Sequence, residues 1–209
     1  MQLRTKIKIC GITEKSDAID ASDLGVDALG FVFYKSSPRY IDPENAGKII
    51  EALDPFLTRV GLFVDASAEE INLAIRKSKV NCLQFHGDEA EGFCNQFGLP
   101  YIKSISMRDD VVLIENCDIY STASALLLDT YSDKLKGGTG QKFDWTKIPK
   151  KLPLPIIVAG GLNENNVSDL INTCNPYGVD VSGGIEIKKG KKDYDMMRSF
   201  ILGVNNATV

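Results

Sequence analysis

The sequence holds a single histidine, His86, in 209 residues. Its five cysteines, Cys10, Cys82, Cys94, Cys117 and Cys174, are scattered, odd in number and free of any Cys-x-x-Cys pair. That spacing argues against a disulfide framework and suits a reduced, cytoplasmic protein. One imidazole among scattered thiols gives no ligand set, so no metal is expected. Positive charge is not in excess. The formal net charge is −4, which leaves no electrostatic basis for a nucleic-acid partner or an anionic membrane surface. No apolar run approaches the roughly 20 residues that span a bilayer, so no membrane association is expected. The opening stretch MQLRTKIKICG has neither the apolar core nor the small-residue cleavage site of a signal peptide.

What is present is an ordinary globular composition, 44% hydrophobic and 25% charged, with one rhythm running through it. Short β-type runs end in glycine or polar residues, and an amphipathic helical stretch follows each. The runs are Lys6–Cys10, Ala28–Phe33, Arg59–Val64, Val80–Phe85, Tyr101–Ile105, Ala125–Asp129, Ile156–Ala159 and Val179–Ser182. The helical stretches are Thr13–Leu24, Pro43–Leu53, Ala68–Lys77, Asp88–Phe97, Glu164–Thr173 and Lys192–Leu202. Thr13 and Ser67 each put a hydroxyl ahead of a first turn, and Asp42 precedes Pro43 at a favourable first helical position. The fifth and sixth connections are weaker. Asp109–Asn116 reads as a short helix, and the glycine-rich Lys136–Lys142 reaches only a helical turn near Asp144–Thr146.

Repeated βα units imply a parallel sheet with right-handed crossovers. Eight of them favour a single α/β domain over residues 1–209, a small closed (β/α)8 TIM barrel with an abbreviated fifth or sixth helix, over an open doubly wound sheet. Residues 203–209 read as a frayed tail.

Active sites of such barrels lie at the C-terminal ends of the strands. Those ends carry Cys10-Gly11, Ser37-Pro38-Arg39, Val64-Asp65, His86-Gly87-Asp88, Ser104, Asp129-Thr130, Gly160-Gly161 and Ser182-Gly183-Gly184. The set offers one thiol, one imidazole, one guanidinium and several carboxylates. The glycine turns after the seventh and eighth strands stand where barrels frequently bind phosphate through backbone N–H groups. Taken alone, Cys10 also fits a small buried hydrophobe. Asp129 fits a helix cap, Arg39 a surface turn, and His86 a hydrogen-bonded support for the fourth loop. The other four cysteines read as core or helix-face residues.

The stretches KICGIT, SPRYI, VGLFVD, LQFHGDE, LLLDTYSDKLKGGTGQKFDW, IVAGGLNENNV and GVDVSGGIE resemble, in this order and spacing, the phosphoribosylanthranilate isomerase family of tryptophan biosynthesis. The resemblance runs from about residue 6 to 186. It implies an Amadori rearrangement of N-(5-phosphoribosyl)anthranilate to 1-(2-carboxyphenylamino)-1-deoxyribulose 5-phosphate, with no cofactor. It implies that Cys10 is the catalytic base at the substrate's C2 and that Asp129 is the acid at the ribose ring oxygen. It further implies that Arg39 faces the anthranilate carboxylate, a task suited to a bidentate guanidinium. Gly160, Gly161, Ser182, Gly183 and Gly184 would bind the phosphate, although the family usually has serine where Gly183 stands. His86 is either a substrate contact or a loop support. Gly137, Gly138 and Gly140 would let the sixth loop close over substrate.

A free thiol has a pKa of about 8.5, so the base needs help. Lys8 lies two residues before Cys10 and projects to the same face. Asp180 is on the last strand, which adjoins the first in a closed barrel. The two are expected to pair below Cys10, which would blunt the effect of Lys8 on the thiol. The expected partner is a phosphorylated small molecule, and the assembly a monomer or homodimer. Two rivals remain open. One is the histidine-pathway isomerase, which runs the same rearrangement but has aspartate where Cys10 stands. The other is a phosphosugar-binding barrel that has lost catalysis.

Overall fold

The computed structural model describes residues 4–108, 111–130 and 143–207. Eight parallel strands close into a barrel in chain order. They are β1 (Lys6–Cys10), β2 (Ala28–Val32), β3 (Thr58–Phe63), β4 (Cys82–Phe85), β5 (Tyr101–Met107), β6 (Ala125–Thr130), β7 (Ile156–Val158) and β8 (Gly178–Val181). The barrel shuts where β8 pairs with β1, and Lys8 stands in register with Asp180. Alternation along each strand sorts the side chains. Ile7 and Ile9 join the core between barrel and helices, which turns Lys6, Lys8 and Cys10 inward. Val60, Cys82, Ile102, Ala125, Leu127, Ile157 and Ala159 fill the interior as one apolar cluster. Cys10, Val32, Leu62 and Val64 form a second.

The outer helices are α1 (Lys15–Asp23), α2 (Pro43–Ile50), α3 (Ala68–Ser78), α4 (Glu91–Cys94), α5 (Leu113–Ile119), α6 (Val167–Cys174) and α7 (Tyr194–Asn205). Two of the three capping expectations hold. Asp42 Oδ1 accepts from Glu44 N at 2.9 Å, and Ser67 with Glu70 forms a reciprocal capping box. Thr13 does not cap. Its hydroxyl donates instead to Gly190 O at 2.5 Å, and α1 starts two residues later.

The sixth connection is the abbreviated one, with only a 3-10 turn at Trp145–Lys147 among the described residues. The fourth is shorter than the expected Asp88–Phe97. It has one α-turn followed by a 3-10 turn at Asn95–Phe97. Residues 87–89 are held in the loop by other bonds: Glu89 accepts from Asp65 N and Gly87 N, and Asp88 N donates to Asp65 Oδ1. Lys192 does not begin the last helix. It lies in a small hairpin of β9 (Glu186–Lys188) and β10 (Lys191–Lys192), and Asp193 caps α7 by accepting from Met196 N at 2.9 Å. That helix runs through Gly203 and the buried Val204 to Asn205, so the expected tail from 203 is too long at its start.

Among the described residues no helix is long and apolar enough to cross a membrane. All five cysteines are free thiols, with Cys10, Cys82, Cys94 and Cys117 buried.

Candidate active site

Cys10, Arg39, His86, Asp129 and the two glycine turns all lie at the C-terminal ends of strands or just beyond them. Gly137, Gly138 and Gly140 lie outside the described residues. Among the described residues no group of three or more His, Cys, Asp or Glu side chains is arranged to hold a metal ion. A cavity of about 570 Å³ opens at the other end of the barrel, beside Lys6, Thr58, Cys82, Ala125 and Gly178. It touches none of the predicted catalytic, carboxylate-binding or phosphate-binding residues.

Cys10 ends β1 and is 6% exposed. Its neighbour in register on β2 is Gly30. A Cβ at Gly30 would stand 2.7 Å from the Cys10 sulfur and 3.1 Å from Lys8 Nζ, so this glycine makes the room that the thiol occupies. Below the thiol, Lys8 Nζ bonds Asp180 Oδ1 at 3.0 Å, and both groups are buried. The expected pair is therefore present. Burial opposes the Lys8 charge, but Asp180 and the thiol side outweigh it and hold the ammonium above its ordinary value. The Cys10 thiol is pushed up. Burial raises it most, Lys8 pulls it down, Asp180 raises it, and Lys192 pulls it down. An ammonium already satisfied by a carboxylate cannot lend its full charge to the sulfur.

A second chain of charges runs above the thiol. Arg39 Nε and Nη2 each bond Glu186, at 2.8 Å and 2.8 Å. Lys192 Nζ bonds Glu186 Oε1 at 2.8 Å, Cys10 O at 2.6 Å and Ser182 O at 3.2 Å. The ammonium thus ties the ends of β1 and β8 to the hairpin. Burial lowers the Lys192 pKa, with Glu186 opposing. Burial pushes the Glu186 carboxyl up, but Arg39 and Lys192 together hold it below the usual range. Arg39 packs across Gly11, where a Cβ would be 2.5 Å from the arginine Cδ. Its Nε edge is filled by Glu186, while Nη1 has no partner among the described residues.

Across the barrel, Asp129 is 8% exposed. Its Oδ1 accepts from Thr130 N at 2.8 Å, and its Oδ2 lies 3.3 Å from His86 Nε2. His86 Nδ1 lies 2.7 Å from Ser104 Oγ and 3.1 Å from Gln84 Nε2. Both expectations for His86 are thus narrowed: the imidazole bonds side chains on β4 and β5 and meets Asp129 directly. Beneath the fourth loop the support comes from Lys103 instead, which bonds Gly87 O at 2.6 Å and Glu89 Oε2 at 3.0 Å.

The glycine turns close the rim. Gly160 and Gly161 have φ of 82° and 67°, a region that L side chains enter only under strain. A Cβ on Gly160 would also stand 2.9 Å from Asp129 Oδ1. Gly184 packs against Leu162 O so closely that a Cβ would be 1.9 Å away, and a Cβ at Gly183 would meet Arg39 Nη2 at 3.1 Å. Gly183 therefore faces the arginine.

Sequence reasoning missed Gly30, Glu186, Lys192, Gln84 and the bonding of Ser104 to His86. The available clue was parity. Gln84 and His86, like Lys8 and Cys10, are polar or reactive residues two apart on one inward face of a strand.

Comparison with known proteins gives the family and the fold. Residues 7–202 match the family described as N-(5'-phosphoribosyl)anthranilate (PRA) isomerase. A relative of that name from Hahella chejuensis is 48% identical over 198 residues, covering 95% of this chain and 93% of its own. The crystal structure of phosphoribosyl anthranilate isomerase from Thermotoga maritima superposes with a TM-score of 0.89 at 36% identity, over 96% of this chain and 98% of that one. A further crystal structure of such an isomerase, in complex with reduced 1-(o-carboxyphenylamino)-1-deoxyribulose 5-phosphate, gives a TM-score of 0.85 at 36% identity and the same coverage.

Proposed function

The chain belongs to the N-(5'-phosphoribosyl)anthranilate isomerase family and catalyses the Amadori rearrangement of that substrate in tryptophan biosynthesis; on that premise we propose that Cys10 is its base and Asp129 its acid. The observation that carries this reading is their joint position: a thiol and a carboxyl at the ends of β1 and β6, on one rim with Arg39 and the glycine turns.

Asp129 delivers a proton to the ring oxygen as the bond from C1 to that oxygen breaks. The anilino nitrogen supplies the electron pair that makes the C1=N Schiff base. The Cys10 thiolate then takes the proton from C2. The C–H electrons form C1=C2, and the C=N pair returns to nitrogen, giving an enolamine. Loss of the C2 hydroxyl proton and protonation at C1 yield the ketone. After its transfer Asp129 is a carboxylate, and the Thr130 N–H on Oδ1 and the His86 side chain at Oδ2 are placed to receive that charge.

Arg39 binds the anthranilate carboxylate through the Nη1 end that Glu186 leaves open. Gly160, Gly161, Ser182, Gly183 and Gly184 hold the phosphate, where the four glycines let backbone approach closely. No metal or cofactor takes part. All these groups come from one chain, so monomer and homodimer both satisfy the reading. Five free thiols fit a reduced compartment, the cytoplasm.

The test generates phosphoribosylanthranilate in situ and follows the loss of its fluorescence. Folded Cys10→Ser and Asp129→Asn should each lose about 10²- to 10⁴-fold in kcat, the range of one general acid or base. Near-parent turnover by either variant would remove that residue's role.

A further inference from the structure

We propose that Gln84 and Ser104 are positioning residues that hold His86 in its Nε2–H tautomer, so that the imidazole donates to Asp129 Oδ2. This rests on the acid role given to Asp129 above.

The four side chains stand in a row, each within 3.3 Å of the next. Gln84 Nε2 donates to Ser104 Oγ at 3.3 Å. The same nitrogen lies 3.1 Å from His86 Nδ1, and Ser104 Oγ lies 2.7 Å from it. A carboxamide nitrogen has no lone pair to offer. The Nδ1 that faces it, with the Ser104 hydroxyl 2.7 Å away, must therefore present its own lone pair, to which the serine O–H can also donate. In a neutral imidazole the proton is then on Nε2, 3.3 Å from the carboxylate. With the amide turned over, Gln84 Oε1 would draw a proton onto Nδ1. In a neutral ring Nε2 would then be bare, and it would face the carboxylate that Asp129 becomes on giving up its proton, acceptor against acceptor. The orientation with Nε2 toward His86 avoids that clash, and it leaves Gln84 Oε1 buried without a partner. An unpaired buried carbonyl on a side chain only 1% exposed is a local cost that packing alone does not explain. Fixing the donor direction toward Asp129 accounts for it.

The consequence is geometric. Thr130 N–H fixes Oδ1 and His86 fixes Oδ2, so the carboxyl plane is held from both sides. Without the chain the carboxyl can rotate, and a proton donor that rotates loses its alignment with the ring oxygen.

The histidine is single in the sequence, so its ring nitrogens give one unambiguous spectrum. Long-range 1H–15N correlation on histidine-labelled parent protein near pH 8, where an ordinary imidazole is neutral, should show a protonated Nε2 and a bare Nδ1. Gln84→Glu, which offers only acceptors, should move the proton to Nδ1. Ser104→Ala should lower kcat about 10-fold with KM changed less than about twofold, and Ser104→Thr, which keeps the hydroxyl, should restore most of it. An Nδ1–H tautomer in the parent overturns the proposal. So does a Ser104→Ala effect confined to KM, or a Ser104→Thr variant as slow as Ser104→Ala. Retained turnover in Asp129→Asn would instead defeat the acid assignment while leaving the tautomer measurement intact, so the two failures are separable.

Discussion

The surroundings of Cys10, the proposed base, and of Asp129, the proposed acid, are built from different materials. Around Cys10 stand full charges: Lys8 with Asp180 below, and Lys192, Glu186 and Arg39 above. Around Asp129 stand a backbone N–H and His86, with Ser104 and Gln84 hydrogen-bonding behind the imidazole. The first arrangement joins residues far apart in the chain, with Lys8 and Asp180 separated by 172 positions. The second spans neighbouring strands. Charges act over distance and are tuned by who else shares them, whereas hydrogen bonds act by direction. The Cys10 side should therefore respond to removal of a charge, and the Asp129 side to reversal of a donor.

The largest expected effect is on stability. Lys8→Met leaves Asp180 buried without its partner, and removal of one member of such a pair costs about 3–5 kcal/mol. The double variant Lys8→Met, Asp180→Leu removes both charges and should recover most of that loss in urea unfolding. A single variant as stable as the parent would mean that the pair is not under strain of burial. No equivalent penalty is expected at Gln84, whose replacement by Leu removes a carboxamide that is already half unpaired.

A smaller effect is expected at Glu186. Its replacement by Gln weakens the charged bonds that orient Arg39, each worth about 1.5–3 kcal/mol. KM should rise about 10-fold while kcat moves less. The same site gives a pH dependence of stability. The folded Glu186 carboxyl is held below its ordinary 4.5, so the unfolded chain binds the proton more tightly. The contribution is fully present above about pH 4.5 and is lost as pH falls through the lower folded value. Acid unfolding of Glu186→Gln should lack that component, and an unchanged acid limb would remove the Arg39–Glu186–Lys192 chain from the account.

The barrel was legible because its rhythm is physical. Buried strands with glycine or polar ends alternate with capped amphipathic helices, and Ser67 and Asp42 cap as their positions predict. The rim set was legible because strand ends are where such barrels work, and the order of motifs named the chemistry. Lys8–Asp180 followed from parity and closure alone. Glu186 and Lys192 were hidden because KKGKK reads as a solvated lysine run, whereas the Lys192 side chain is fully buried by the hairpin. Gln84 and Ser104 were hidden because a polar residue inside a strand carries no label for what it bonds. The fourth helix was overread because Asp88 and Glu89 suit a first turn, yet both spend their groups on Asp65, Gly87 and Lys103.

The most direct test of charge control at the proposed base is the reactivity of Cys10 itself. Iodoacetamide alkylation of the Cys10 peptide, read by mass against pH, reports thiolate formation at that sulfur. In the parent the midpoint should lie above the ordinary thiol value of about 8.5, because burial pushes this thiol up. Asp180→Asn, which removes a negative charge from below the sulfur, should lower the midpoint, and Lys8→Met should raise it. A midpoint that stays the same in all three proteins would contradict the account.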